Sequence, residues 1–266
     1  MIYQRIVFTD LDGTLLDHHT YSFDKAIPAL NLLKRHNIPL VICTSKTRAE
    51  IEYWREHLHN TDPFISENGG GVYIPKQYFS SPFIYDKETE KYHVFVLGEH
   101  ITKLRAALSD LQHQFNITNF LSLPDAQIKS CTNMTLEQVH LAKQREYDIP
   151  FLINDPDERD AILNAIKQQG FTYTKGGRFY HILGNANKGT AVRTLIQLFQ
   201  QHYGRLRTIG IGDSANDFPM LDVVDQPYLV QQPNGMYASS KYHHTPGKGA
   251  EGWNAVIATI ISENAP

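Results

Sequence analysis

Short apolar runs rich in β-branched residues, set between stretches of helical spacing, constrain this chain most. RIVFT (5–9) reads as a short buried strand. A helix follows at about 23–36, where Ile27, Leu30, Leu33 and Lys34 fall in phase. IPLVICTS, bounded by Asn37 and Ser45, has the continuous apolar character of a strand covered on both faces. KTRAEIEYWREHLH then puts Ile51, Trp54 and Leu58 on one side of a second helix, and PFISENGGGVYI reads as strand, Gly-rich turn and departing strand. A β-α-β-α-β rhythm of this kind predicts an α/β fold, a parallel sheet with helices on its faces.

From about 82 to 186 the pattern changes. Strands at YHVFVL, TYTKGG and FYHILG mix with two helices, ITKLRAALSDLQHQF and DERDAILNAIKQQG, the second capped by Asp155 or Asp157 and ended by Gly170. Gly184-Asn185-Ala186-Asn187 reads as a return linker. The parallel rhythm resumes with the helix KGTAVRTLIQLFQQHYG, in which Val192, Leu195, Ile196 and Phe199 are in phase and Gly204 is terminal. The strand RTIGIGDS, a short helix in SANDFPMLDVV, the strand YLVQQ and a closing helix GWNAVIATIIS follow. The expectation is a Rossmann-like core formed by 1–81 and 187–266, interrupted by an inserted α+β domain, 82–186.

With 266 residues, 41% hydrophobic and 20% charged, the chain is long and apolar enough for a sizeable core and not for disorder. A net charge of −3 argues against general attraction to nucleic acid or acidic membranes. No apolar run of about 18 residues is present, and the N-terminus lacks signal-peptide character. Cys43 and Cys131 are far apart and without metal-type spacing, so a reducing, cytoplasmic setting is expected. Cys43, Trp54 and Trp253 read as packing residues, and His243-His244 as a solvated loop.

In open parallel sheets ligands gather at the carboxyl ends of the strands. Four polar groups are expected there: Asp10 and Asp12 after the first strand, Thr44 after the second, Lys188 opening a helix, and Asp213, Asn216 and Asp217 after RTIGIG. Clustered carboxylates repel unless a cation neutralises them, and all-oxygen donors favour a hard cation such as Mg²⁺. Lysine, threonine hydroxyl and the N–H groups of the Gly13-Thr14 turn suit phosphate oxygens. Together these groups suit phosphoryl transfer, and a carboxylate can serve as the nucleophile. Alone, each has a plainer reading: an acidic turn, a strand-end hydroxyl, a surface lysine. Lys188 sits at a helix N-terminus against the helix dipole, a mild misfit that favours function. Asp17 reads as a turn residue.

D-L-D-G-T at 10–14, Thr44, Lys188 and G-D-S-A-N-D at 212–217 resemble, in order and spread, the four motifs of the haloacid dehalogenase superfamily of phosphatases. The resemblance implies Asp10 as nucleophile and Asp12 as general acid/base. Thr44, Ser45 and Lys188 would hold the phosphoryl group. Mg²⁺ would be bound by Asp10, the Asp12 carbonyl and Asp213, with Asn216 and Asp217 orienting those groups or Lys188. An insertion between the second and third motifs is typical of members with a large α+β cap. ICTSKT (42–47), SENGGGVYI (66–74), GGRFYHILG (176–184) and GKGAEGWNAVI together resemble the mannosyl-3-phosphoglycerate phosphatase branch, whose second motif is similar to the Thr44-Ser45-Lys46 form found here in place of T-G-R. The implied substrate is a phosphorylated sugar or sugar-glycerate small molecule, with sucrose phosphate and hexose phosphates as competing substrates. A non-catalytic phospho-ligand binder is the competing class, disfavoured by the intact Asp10 and Asp12 pair. Lys46, Glu67, Asn68, Arg178 and His181 are expected to contact the substrate beyond its phosphate, with Lys175 a further candidate; arginine can grip a carboxylate bidentately.

Overall fold

The computed structural model of the protein describes residues 3–132 and 134–262. The first half of the larger unit contains β1 (Gln4–Thr9), α1 (Ile27–Arg35), β2 (Leu40–Cys43), α2 (Arg48–His57), β3 (Phe64–Ser66), β4 (Gly71–Pro75), β5 (Lys87–Glu88) and β6 (Tyr92–Val96). The inserted segment contains α3 (Ile101–Gln112), β7 (Ile117–Asn119), α4 (Asp125–Thr132), α5 (Leu136–Ala142), β8 (Asp148–Ile153), α6 (Arg159–Gln168), β9 (Thr172–Lys175) and β10 (Tyr180–Leu183). The chain returns through α7 (Lys188–Tyr203), β11 (Leu206–Gly212), α8 (Phe218–Leu221), β12 (Gln226–Gln231), β13 (His243–Lys248) and α9 (Gly249–Ser262).

Among the described residues the strands form two sheets. The larger has nine strands in the order β13-β12-β11-β1-β2-β3-β4-β6-β5, parallel from β13 to β3 and antiparallel beyond. The smaller is antiparallel, β7-β8-β10-β9. The apolar runs explain the larger sheet. β2 is buried at all four residues and β1 at its last four, because helices cover both faces. One layer packs Leu33, Trp54, Trp253 and Ile257 against one face; the other packs Val192, Leu195, Phe199 and Met220 against the opposite face. The inserted unit has its own core, built from Leu104, Leu108, Phe151, Ile162 and Ile182.

The sequence pattern at 82–97 reads as part of the insertion, but β5 and β6 pair with β4 at the edge of the larger sheet. Alternating polarity marks an edge strand equally well in either sheet, and only the pairing decides. His243 and His244, expected in a loop, open the exposed edge strand β13 instead, where the His244 ring stacks on Tyr237 at 3.9 Å. Trp253 is wholly buried and also donates from Nε1 to Thr9 Oγ1 at 3.0 Å, tying α9 to the end of β1. No helix among the described residues is long and apolar enough to cross a membrane.

The two chain crossings between the units run against glycine. Gly69 has φ of +100°, and a Cβ there would lie 2.3 Å from the Asn187 carbonyl oxygen. Only glycine admits both the left-handed conformation and that approach. The returning chain therefore lies directly on the Gly-rich turn after β3.

Candidate active site

β1 and β11 are paired in parallel through Thr9 and Ile211, so the residues that follow each strand emerge side by side. Asp10 and Asp213 are thereby neighbours, and one oxygen each of Asp10, Asp213 and Asp217 falls within 4.8 Å of the others. Lys188, wholly buried at the start of α7, bridges Asp10 Oδ1 at 2.8 Å and Asp217 Oδ1 at 2.6 Å. Asp217 Oδ2 accepts the N–H groups of Asp213 and Ser214 at 3.0 and 3.1 Å. Both Asp217 oxygens are thus occupied, and its part is to hold Lys188 and the loop after β11.

Three buried carboxylates share one lysine, and the charge balance is visible in their acidities. Burial pushes Asp10 up to about 7, with Lys188 opposing and Asp217 adding to the rise. Asp213 is raised well above the ordinary carboxylate range by burial, then by Asp217 and Asp10. Burial pulls the Lys188 ammonium down, but Asp10 and Asp217 outweigh it and hold it above its usual value. A hard cation beside Asp10 and Asp213 would relieve this excess of negative charge, and the oxygen-only donor set fits Mg²⁺. Thr14 Oγ1 reaches Asp213 Oδ1 at 3.4 Å, and Gln232 Nε2 donates to the Asp213 carbonyl at 3.1 Å.

Asp12 lies beside this cluster. Its Oδ2 pairs with Lys46 Nζ at 2.8 Å, while its Oδ1 is buried with no hydrogen-bond partner among the described residues. Lys46 also approaches Glu50 Oε1 at 3.5 Å. Glu50 is fixed because it completes a capping box with Thr47 at the start of α2. Thr44 is buried at the end of β2, and its carbonyl accepts the Asn68 N–H at 3.0 Å. Ser45 lines the cavity, and its carbonyl accepts from Arg145 Nη1 at 2.7 Å.

A cavity of about 790 Å³ opens over these groups, walled by both units. From the larger unit it takes Asp10, Asp12, Ser45, Lys46, Asp213 and Asn216; from the insertion, Arg145, Arg178 and His181. Asn216 is held by a hydrogen bond from Ser214 Oγ at 2.6 Å. Lys175 is outside this wall, its ammonium 5.0 Å from the Tyr180 ring centroid. Asp17 Oδ1 accepts the N–H groups of His19 and Thr20 at 3.0 and 2.9 Å, as a turn residue does.

Glu67 and Asn68 are not in the cavity wall. Glu67 is wholly buried, and its carboxylate accepts the N–H groups of Glu146, Tyr147 and Asp148 at 2.7–3.0 Å. Asn68 Nδ2 donates to Asp148 Oδ2 at 2.9 Å. The reason is local: Glu67 and Asn68 have φ of 48° and 56°, so the turn directs both side chains toward the start of β8 and the residues just before it. They fasten the inserted unit to the larger one.

Glu67→Ala strands the buried N–H groups of Tyr147 and Asp148, each costing about 1–3 kcal/mol, and the part-buried one of Glu146, so a loss of stability of about 2 kcal/mol or more is expected in urea denaturation. Burial pushes the Glu67 carboxyl up to about 8, with Asp148 adding and Arg145 and the Tyr147 and Glu146 N–H groups opposing. The folded state therefore keeps this proton where the unfolded state has lost it. The contribution is full below the ordinary value of 4.5 and is lost as pH rises through about 8. Glu67→Gln is expected to flatten that decline; equal slopes in the two proteins would show that Glu67 does not titrate there.

Several cavity residues carried no recognisable pattern in the sequence. His18, His19 and Tyr21 follow the first acidic motif, and Arg145 precedes β8 in a stretch without periodicity. The only hint was the His-His doublet directly after D-L-D-G-T-L-L-D.

A family model for haloacid dehalogenase-like hydrolases matches residues 7–235. The chain is 44% identical to a glucosyl-3-phosphoglycerate/mannosyl-3-phosphoglycerate phosphatase of Methanococcoides burtonii, over 98% of each chain. It is 37% identical to a mannosyl-3-phosphoglycerate phosphatase of Pyrococcus furiosus, over 85% of this chain and 90% of that one. In fold it is similar to the sucrose-phosphatase of Synechocystis, solved with sucrose and phosphate, with a TM-score of 0.62 at 16% identity over 98% of both chains.

Proposed function

The chain belongs to the haloacid dehalogenase-like hydrolase family and is a phosphoric monoester hydrolase, and from that premise we propose that it hydrolyses mannosyl- or glucosyl-3-phosphoglycerate to the glycosylglycerate and phosphate. The observation that carries the reading is the near full-length match to enzymes named for these substrates. A cavity lined by Asp10, Asp12 and Asp213 from the larger unit and by Arg178 from the insertion supports it. Such a substrate carries a carboxylate as well as a phosphate, and a guanidinium beyond the phosphate site suits it.

In this reading Asp10 attacks phosphorus while the bond from phosphorus to the glycerate oxygen breaks. Asp12 gives its proton to that leaving oxygen, and Asp10 becomes an aspartyl phosphate. Asp12 then takes a proton from water, which attacks the phosphorus and restores Asp10 as phosphate leaves. Lys188, Thr44 and Ser45 hold the phosphoryl oxygens, and Asp217 and Asn216 keep the loop after β11 in place. Asp10, Asp213 and the Asp12 carbonyl would hold Mg²⁺, which when bound supplies neutralisation of phosphoryl charge. Lys46, paired with Asp12, keeps the proton-carrying residue beside the reacting bond. The insertion serves as a cap that selects the substrate and excludes bulk water. Its bounds are taken as 98–186, since β5 and β6 pair in the larger sheet.

Phosphate release from a panel tests this: mannosyl- and glucosyl-3-phosphoglycerate, sucrose 6-phosphate, hexose phosphates and p-nitrophenyl phosphate, with Mg²⁺ and with EDTA. The glycosyl-3-phosphoglycerates are expected to lead in kcat/KM by about tenfold or more, the worth of one charged hydrogen bond. Arg178→Ala is expected to erase much of that lead. An equal loss on p-nitrophenyl phosphate would show that Arg178 does not read the glycerate, and no turnover of any ester would overturn the enzyme.

A further inference from the structure

Asp148 opens β8 and is wholly buried, yet its carboxylate has three side-chain partners. Oδ1 accepts from Arg145 Nη1 at 2.7 Å. Oδ2 accepts from Asn68 Nδ2 at 2.9 Å and lies 2.9 Å from His181 Nδ1. In the antiparallel pairing of β8 and β10, His181 stands opposite Pro150, so Asp148, two residues earlier, shares a face with it. Burial favours the neutral acid, but Arg145 and then His181 hold the Asp148 carboxyl below the usual range. An ionised carboxylate can only accept, so His181 Nδ1 is the donor.

With Nδ1 committed inward, Nε2 is the free end of the ring. It lies 3.7 Å from where a Cβ would stand on Gly176, and Gly176, Gly177 and His181 all line the cavity. A side chain at Gly176 would cover that nitrogen; glycine leaves it open.

We propose that Asp148 is a positioning residue: it fixes the His181 ring, with its proton on Nδ1, so that Nε2 accepts a hydrogen bond from a hydroxyl in the organic portion of the substrate. Arg145 completes the device, because the guanidinium that holds Asp148 also donates to the Ser45 carbonyl beside the phosphate site. The orientation of His181 is thereby tied to the loop that faces the phosphoryl group. The choice of substrate oxygen rests on the function proposed above; the tautomer does not.

Asp148→Asn keeps the shape but can turn an amide donor toward Nδ1, which reverses the ring's proton. The readout is selectivity: kcat/KM for glycosyl-3-phosphoglycerate divided by kcat/KM for p-nitrophenyl phosphate. That ratio is expected to fall about tenfold, mainly through KM, as for loss of one hydrogen bond. It is expected to fall equally in His181→Ala, and Asp148→Asn on top of His181→Ala is expected to add nothing. Additive falls, or an unchanged ratio in folded Asp148→Asn protein, overturn the proposal. Should Asp148→Asn fail to fold, ¹⁵N-detected imidazole spectra of the full chain, with His181 assigned through His181→Ala, decide it. A proton on Nδ1 supports the proposal; a bare Nδ1 overturns it. If the wild type turns over p-nitrophenyl phosphate but no glycosyl-3-phosphoglycerate, the substrate assignment falls. The tautomer and the ratio for the preferred panel ester then still test Asp148.

Discussion

Asp10→Asn protein is expected to lose turnover by on the order of 10⁴-fold or more, because in the proposed mechanism Asp10 is the attacking carboxylate, the one group that no neighbour replaces. Its fold should survive. Asp10 shares a buried pocket with Asp213 and Asp217, and the Lys188 ammonium bridges Asp10 and Asp217. Neutralising one of three carboxylates relieves repulsion and desolvation, the causes that push Asp10 up to about 7. In EDTA the thermal midpoint of Asp10→Asn should equal or exceed that of the wild type. Acid quench of the wild type during turnover should trap phosphate on the protein, and the variant should trap none. Retention of a tenth or more of wild-type activity would remove the nucleophile assignment.

Lys188→Met should damage both stability and catalysis. The ammonium is wholly buried between Asp10 and Asp217, so its removal leaves carboxylates facing one another with nothing between. Breaking a buried pair by deleting one partner costs about 3–5 kcal/mol. In the proposed mechanism this charge also holds the phosphoryl oxygens, and its loss costs about 10²–10³ in kcat. The two effects separate with metal: Mg²⁺ should restore part of the lost thermal midpoint in Lys188→Met and little of its kcat. A variant as stable as the wild type in EDTA would show that the pairing carries no weight.

The larger sheet was legible where sequence and environment agree. β1 and β2 are continuous apolar runs because both faces are covered, and Asp10 and Asp213 were legible because acid directly after such a run marks the carboxyl end of a strand. The inserted unit was harder. β8 contains Pro150, which weakens its reading as a strand, and α4 and α5 are short, at eight and seven residues. Strands β5 and β6 carry no mark of which sheet they join. Glu67 and Asn68 were misread for a different reason. Their residue types suit a ligand, but two consecutive left-handed backbone conformations turn them into the protein. Arg145 and Asp148 were invisible because their meaning depends on partners from distant segments: Ser45, Asn68 and His181. Position along the chain encodes none of these encounters.

The pairing of β1 with β11 joins segments about 200 residues apart. During synthesis β1 must therefore wait, its hydrogen-bonding edge toward β11 open, until nearly four-fifths of the chain has been made. The inserted unit closes its own sheet from local strands and needs no such delay. Refolding should accordingly proceed in two stages, with amide protection appearing first in β8 and β10 and only later in β1. The carboxylate–lysine cluster, which exists only where β1 meets β11, would be among the last parts of the molecule to form.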